Sequence, residues 1–226
     1  MPKVLSLLVC LPLLAAAQLV QITSGSIQAI GSATIPVTPD QVQLDVGVVT
    51  QGATAQDAGQ QNATLTTTVL NALKGVLGAA GTIQTIGYSV SPRYSTTQGQ
   101  PSVIIGYTAS NTVEVTSTDL SLIGRLIDTA NQAGANSVGN LSFGLQNPEP
   151  VVEQALGQAA KQAQAHVNAI AAGLGAKTGT VISALEGAAV SSIVTATPGV
   201  ATATTPIQSG TVKVTANVTI SVRLLQ

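Results

Sequence analysis

The chain has 226 residues, with 8 Lys+Arg against 9 Asp+Glu, one histidine, one cysteine and no tryptophan. A net charge of −1 offers no basic surface for nucleic acid, and a single cysteine excludes an internal disulfide framework and a thiol-rich metal site. Charged residues make up only 8% of the chain, against roughly 25% in ordinary soluble domains. Thr, Ser, Gln and Asn take their place; such a neutral surface is easily desolvated and favours self-association, or else reflects a compositional habit of exported proteins.

In chain order, Lys3, an apolar run over residues 4–14 and Ala15-Ala16-Ala17 predict a cleaved export signal over 1–17. The run falls short of the about 20 apolar residues needed to span a bilayer. Cys10 lies inside this segment, and Val9 before it disfavours a lipoprotein signal. Residues 18–226 then form one domain, with no second apolar segment to anchor it in a membrane.

Residues 26–35 and 40–51 alternate like strands, and their short connection predicts an antiparallel pair. Thr54 opens a helix reaching Gly78, with Ala58, Leu65, Val69, Leu73 and Leu77 on one stripe. Two long strands, 82–94 and 103–117, are joined by the hairpin loop "STTQGQPS". Thr118 caps a second helix, 119–133, and a strand follows over 136–146. After Pro148-Glu149-Pro150, a third helix over 151–174 sets Val152, Leu156, Ala159, Ala163, Val167, Ile170 and Leu174 at steps of three or four. A strand over 180–186 leads into a Thr/Ala/Ser/Gly-rich stretch, 187–210, expected as a flexible loop. The chain closes on 211–224, where Val212, Val214, Ala216, Val218, Ile220 and Val222 alternate strictly with polar residues. The expectation is an α+β domain: a largely antiparallel, mixed sheet covered by about three helices.

Catalytic motifs are sparse. His166 has Gln162, Ala163, Ala169 and Ile170 as its helical neighbours, so no carboxylate on its helix orients it; it reads as a helix-flank residue. No G-x-S-x-G occurs, and Gly139–Gly144 has the wrong spacing. Asp40 and Asp45 point to opposite faces of a strand, and Glu149 and Glu153 suit the positive end of a helix dipole better than a cation. "GLGAKTG" (173–179) lacks the glycine a phosphate loop needs before lysine and reads as a helix stop. Sequons at Asn62, Asn140 and Asn217 matter only in a eukaryotic secretory pathway. No cofactor and no metal are expected.

Four ordered strings, "IGSATIPVTPDQVQLDVGVVTQG", "GYSVSPRYS…VIIGYTASNTVEVT", "GANSVGNLSFGL" and "TPIQSGTVKVTANVTISVRL", resemble the SIMPL-domain family. That family includes bacterial periplasmic immunogenic proteins and oxidative-stress-defence proteins. The resemblance covers nearly all of residues 27–224 and implies an exported, periplasmic α/β domain without established enzymatic activity. It also implies kinship with subunits of large ring- or channel-like homo-oligomers, and an animal member is an adaptor for a signalling kinase. The expected partner is therefore another copy of the chain, with envelope proteins beside it, in an envelope-organising or stress-protective role. The alternative is a periplasmic binding module for a small molecule or glycan.

All three tyrosines, Tyr88, Tyr94 and Tyr107, fall in the hairpin segment together with Arg93. Tyr and Arg are enriched where subunits meet, so the four are the candidate self-association residues. Tyr88 and Tyr94 share a strand face unless Pro92 bends it. Tyr107, inside an apolar run, also suits the rim of the sheet core.

Overall fold

The computed structural model describes residues 25–95, 101–188, 190–194 and 207–225. The predicted export signal lies outside the described residues. The elements are β1 (Ser26–Val37), β2 (Gln41–Gly52), α1 (Ala55–Leu77), β3 (Gly81–Tyr94), β4 (Ile104–Ser117), a 3₁₀ turn (Leu120–Leu122), α2 (Ile123–Gln132), β5 (Ser137–Gly144), α3 (Glu149–Gly173), β6 (Lys177–Glu186), β7 (Val190–Val194) and β8 (Thr211–Leu225).

Every strand pairing is antiparallel, as the alternation predicts. The strands, however, divide into two sheets. One runs β1–β8–β6 with β7 also on β8; the other runs β3–β4–β2–β5. The α+β expectation of antiparallel strands under three helices holds, but the strands form two sheets rather than one, and the expected β1–β2 pair is corrected. β1 pairs instead with β8, in unbroken register from Ser26↔Arg223 to Val37↔Val212, while β2 lies between β4 and β5. Asp40 shows why the connection does not turn back: its amide bonds the Gly144 carbonyl and its carboxylate accepts from the Gln146 amide. These bonds tie the start of β2 to the end of β5.

α1 covers the second sheet and α2 packs against α1. Val42, Leu44, Val46 and Val48 of β2 meet Val113 and Val115 of β4, Val69, Leu73 and Leu77 of α1, and Leu126 of α2. Burying each such side chain contributes about 1.5–3 kcal/mol. Thr54 caps α1 as predicted, its hydroxyl accepting from the Asp57 amide at 3.1 Å, and Gly78 ends it. The capping residue of the next helix is corrected: Asp119, not Thr118, accepts from the Ser121 amide, and the helix begins as a 3₁₀ turn. Asn62 of α1 is fully buried; its amide donates to the carbonyls of Val48 and Ala109, and its oxygen accepts from Thr66. That sequon is therefore closed to modification in the folded chain.

α3 covers the first sheet with a face shifted from the predicted stripe. Ala155, Ala159, Ala163, Val167 and Ala171 are buried, whereas Ile170 and Leu174 are exposed. Gly31 of β1 gives the cause. A Cβ there would stand 1.9 Å from the Ala159 carbonyl oxygen, so helix and strand meet backbone to backbone, and only alanine fits between them. The "GLGAKTG" segment ends α3 as predicted, the Ala176 amide bonding the Ala171 carbonyl.

The expected 187–210 loop is corrected in part. β7 pairs with β8 from Val190↔Thr215 to Val194↔Thr211, and Ile207 packs against the core of the second sheet. Residues 195–206 of that loop lie outside the described residues.

Candidate functional site

The β3–β4 hairpin carries all three tyrosines out from the covered part of the second sheet. β2 ends at Gly52, opposite Tyr107, so among the described residues β3 and β4 continue past it with only each other as partners. Gly106 lies at the bulge beyond this point, with φ 148°, where an L side chain is strained; its own Cβ would lie 3.0 Å from the Gly52 carbonyl oxygen. The bulge leaves Ile105 as an extra residue between Gly106, opposite Arg93, and Ile104, opposite Tyr94.

Alternation along β3 sets Tyr88, Val90, Pro92 and Tyr94 on one face, and their cross-strand partners include Asn111, Ala109 and Tyr107. This is the same face that, further back, carries Ile83, Val113 and Val115 beneath α1. α1 starts only at Ala55, so the core face of the sheet emerges from under its helix as the hairpin advances. Tyr88 lies at that margin: a Cβ on Gly59, in the first turns of α1, would be 3.3 Å from its hydroxyl. Tyr88 is 60% exposed and Tyr94 51%, with Val103, Ile104 and Ile105 at least as open as Tyr94, while Tyr107 is half-buried. The hairpin end is thus an uncovered apolar surface edged by phenol groups.

Arg93 points the other way. It sits on the opposite face and donates from Nη1 to Oε1 of Gln51 on β2, across β4. The structure therefore brings the three tyrosines together and separates Arg93 from them.

The outer face of this sheet holds a feature that no single stretch of sequence displays. Asp45 and Glu114 stand directly opposite each other across β2 and β4, both half-buried. Like charges so placed oppose strand pairing. Asn140, at positive φ in a bulge of β5, donates to Asp45 Oδ2 at 2.6 Å. With Gln43 and Ile86 they line a groove of about 430 Å³. A second shallow groove of about 510 Å³ runs along α1 between Thr50, Gln60, Thr64 and Thr68. Neither groove is lined by a tyrosine. Among the described residues no three His, Cys, Asp or Glu side chains converge, and no helix is long and apolar enough to cross a membrane. His166 Nδ1 lies 2.9 Å from the Ile30 carbonyl oxygen, which accepts only, so Nδ1 is the donor.

Comparison with known proteins places this architecture. The sequence model of the SIMPL family, described as a protein of unknown function (DUF541), matches residues 27–222. The 26 kDa periplasmic immunogenic protein of Brucella melitensis biotype 1 is 28% identical over 156 residues, 67% of this chain and 62% of that protein. The uncharacterized protein YggE of Escherichia coli (strain K12) is 28% identical over 153 residues, 68% of this chain and 62% of that protein. The matched stretch spans less than two thirds of the length of these relatives. The family match runs from the start of β1 into the last turns of the β8 ladder and takes in both sheets and all three helices, so the chain belongs to the SIMPL family.

Proposed function

We propose that the chain is exported to the periplasm, loses residues 1–17, and works without catalysis as a subunit of a homo-oligomer with an envelope-organising or stress-protective role. The observation that carries this reading is the apolar face of the second sheet, which runs uncovered onto the β3–β4 hairpin as Tyr88, Val90, Tyr94 and Ile104. Contiguous exposed apolar surface of this kind marks interaction sites, and aromatics with one polar end tolerate both free and bound states. With charged residues at 8% of the chain, docking strips water from few ions. Export rests on the N-terminal apolar run and on a relative named as periplasmic. The non-catalytic reading rests on His166, whose Nδ1 is committed to a backbone carbonyl. A stacking platform for a glycan is disfavoured, because the tyrosines lie on an open hairpin and neither groove includes them.

Light scattering of the chain from residue 18 onward is expected to give the mass of a closed assembly of several subunits. A monomer at tens of micromolar would sink the self-association reading.

A further inference from the structure

Among the described residues, β1 is an edge strand of the first sheet, paired on one side only. Its sequence, "SIQAIGSATIPV", contains no charged residue, and Ile30 at its centre is 61% exposed. Such an edge is a template on which another strand can add, and proteins normally blunt it with lysines or other charges. This chain has few charges to spend.

We propose that α3 supplies the missing protection: Gln162 and His166 form a side-chain lock on the open edge of β1 that blocks strand addition by other chains, including further copies of this one. The Ser32 amide donates to Gln162 Oε1 at 2.6 Å, and the Ile30 carbonyl accepts from His166 Nδ1 at 2.9 Å. Both backbone groups point away from β8, so an incoming strand would have to use them. The spacing suits the task. Residues four apart on a helix rise about 6.0 Å, and residues two apart on a strand advance about 6.6 Å, so one helix face can serve successive outward positions of a strand. The Gly31 contact with Ala159 and Ala163 holds α3 close enough for both side chains to reach.

Pro36 closes the same edge by other means. The register with β8 is unbroken, so outward positions recur at every second residue from Ser26 through Ile30, Ser32 and Thr34 to Pro36. Pro36 has no N–H to offer at the last of these. Glutamine, histidine and proline thus each remove one ladder group from the outward edge: the Ser32 N–H, the Ile30 carbonyl and the N–H that position 36 lacks. The lock also gives His166 a role that needs no reaction.

Residue-resolved amide hydrogen exchange on the unaltered protein is the first test. Ser32 and Thr34 occupy equivalent outward positions on one strand, but only the Ser32 amide is locked. After correction for intrinsic rates, Ser32 is expected to exchange roughly tenfold more slowly than Thr34, the protection one side-chain hydrogen bond confers. Equal rates would overturn the proposal whatever any variant does. In the double variant Gln162→Ala/His166→Ala, Ser32 should reach the Thr34 rate while β8 amides stay protected, and scattering should grow with concentration beyond the unaltered protein. Adding Ser32→Pro restores a blocked edge without the lock and should suppress that growth. Absence of growth in the double variant, or growth that persists with Ser32→Pro, would overturn the lock. If the double variant loses β8 protection, the Ser32-to-Thr34 ratio of the unaltered protein decides.

Discussion

The two sheets are built from similar alternating strands, yet they close on their helices in opposite ways. On the first sheet, α3 approaches until Ala159 and Ala163 meet Gly31 with no room for a methyl group. On the second, α1 meets the sheet backbone only at its start, where a Cβ on Gly52 would stand 2.5 Å from the Ala58 nitrogen; further along it stands off, and Val69, Leu73 and Leu77 fill the gap against Val42, Leu44, Val46 and Val48. Backbone-limited packing loses little when atoms are removed and much when they are added. Side-chain-limited packing is the reverse. The stand-off has a second consequence: an interface filled by large side chains ends where its helix ends. Beyond the start of α1 no described helix lies over the apolar face of β3 and β4.

This contrast can be broken by substitutions of opposite sense. The largest effect is expected for Leu73→Ala, which removes a fully buried side chain from the α1 interface and should cost about 2–5 kcal/mol in denaturant unfolding. Gly31→Ala adds a single methyl group and should cost about 1–3 kcal/mol, because the neighbouring atoms are helix backbone and cannot swing aside. A neutral Gly31→Ala would show that α3 has slack, and the distinction between the two halves would fall. A smaller loss is expected for Asn136→Ala. Asn136 stands in for a missing strand residue beside β2, accepting from the Val49 amide at 2.8 Å and donating to its carbonyl at 2.7 Å. Removing both bonds at this solvent-accessible site should cost about 1 kcal/mol. The smallest effect on the fold is expected at the hairpin end, where Tyr94→Ser touches an exposed side chain and should move stability by less than about 0.5 kcal/mol.

Local patterns in the sequence predict most elements of this chain, because alternation and capping are read within a few residues. The six alternating apolar positions of β8 are all buried, and Thr54 and Gly78 bound α1 as their types suggest. Partner choice is different. Pro39-Asp40 looks like a hairpin turn, but β1 finds its partner near the other end of the chain, a preference set by tertiary packing. The stripe predicted for α3 holds at Ala159, Ala163 and Val167 and fails at Ile170 and Leu174 for a related reason. Leu156, Ile170 and Leu174 carry the stronger hydrophobic signal, whereas the separation of helix and strand, fixed by Gly31, selects the alanines. β7 falls in a stretch whose small polar residues gave no strand period. The clustering of the tyrosines was legible as composition; that they share an uncovered face, and that Arg93 does not, required the register of β3 on β4. The opposition of Asp45 and Glu114 is likewise a property of register alone.

If the uncovered hairpin face binds another copy of the chain, one paired measurement will show it. Sedimentation velocity is run on the chain from residue 18 and on its Tyr94→Ser/Ile104→Ser variant, with thermal melting of the dissociated subunit alongside. Both substitutions lie opposite each other on the exposed end of the hairpin, away from the α1 core. An interface hot spot contributes on the order of 2 kcal/mol or more, and a closed assembly repeats it at every subunit. The expected result is a shift of the variant from oligomer towards monomer with an unchanged melt. An oligomer that survives the double substitution with its subunit intact would contradict the claim.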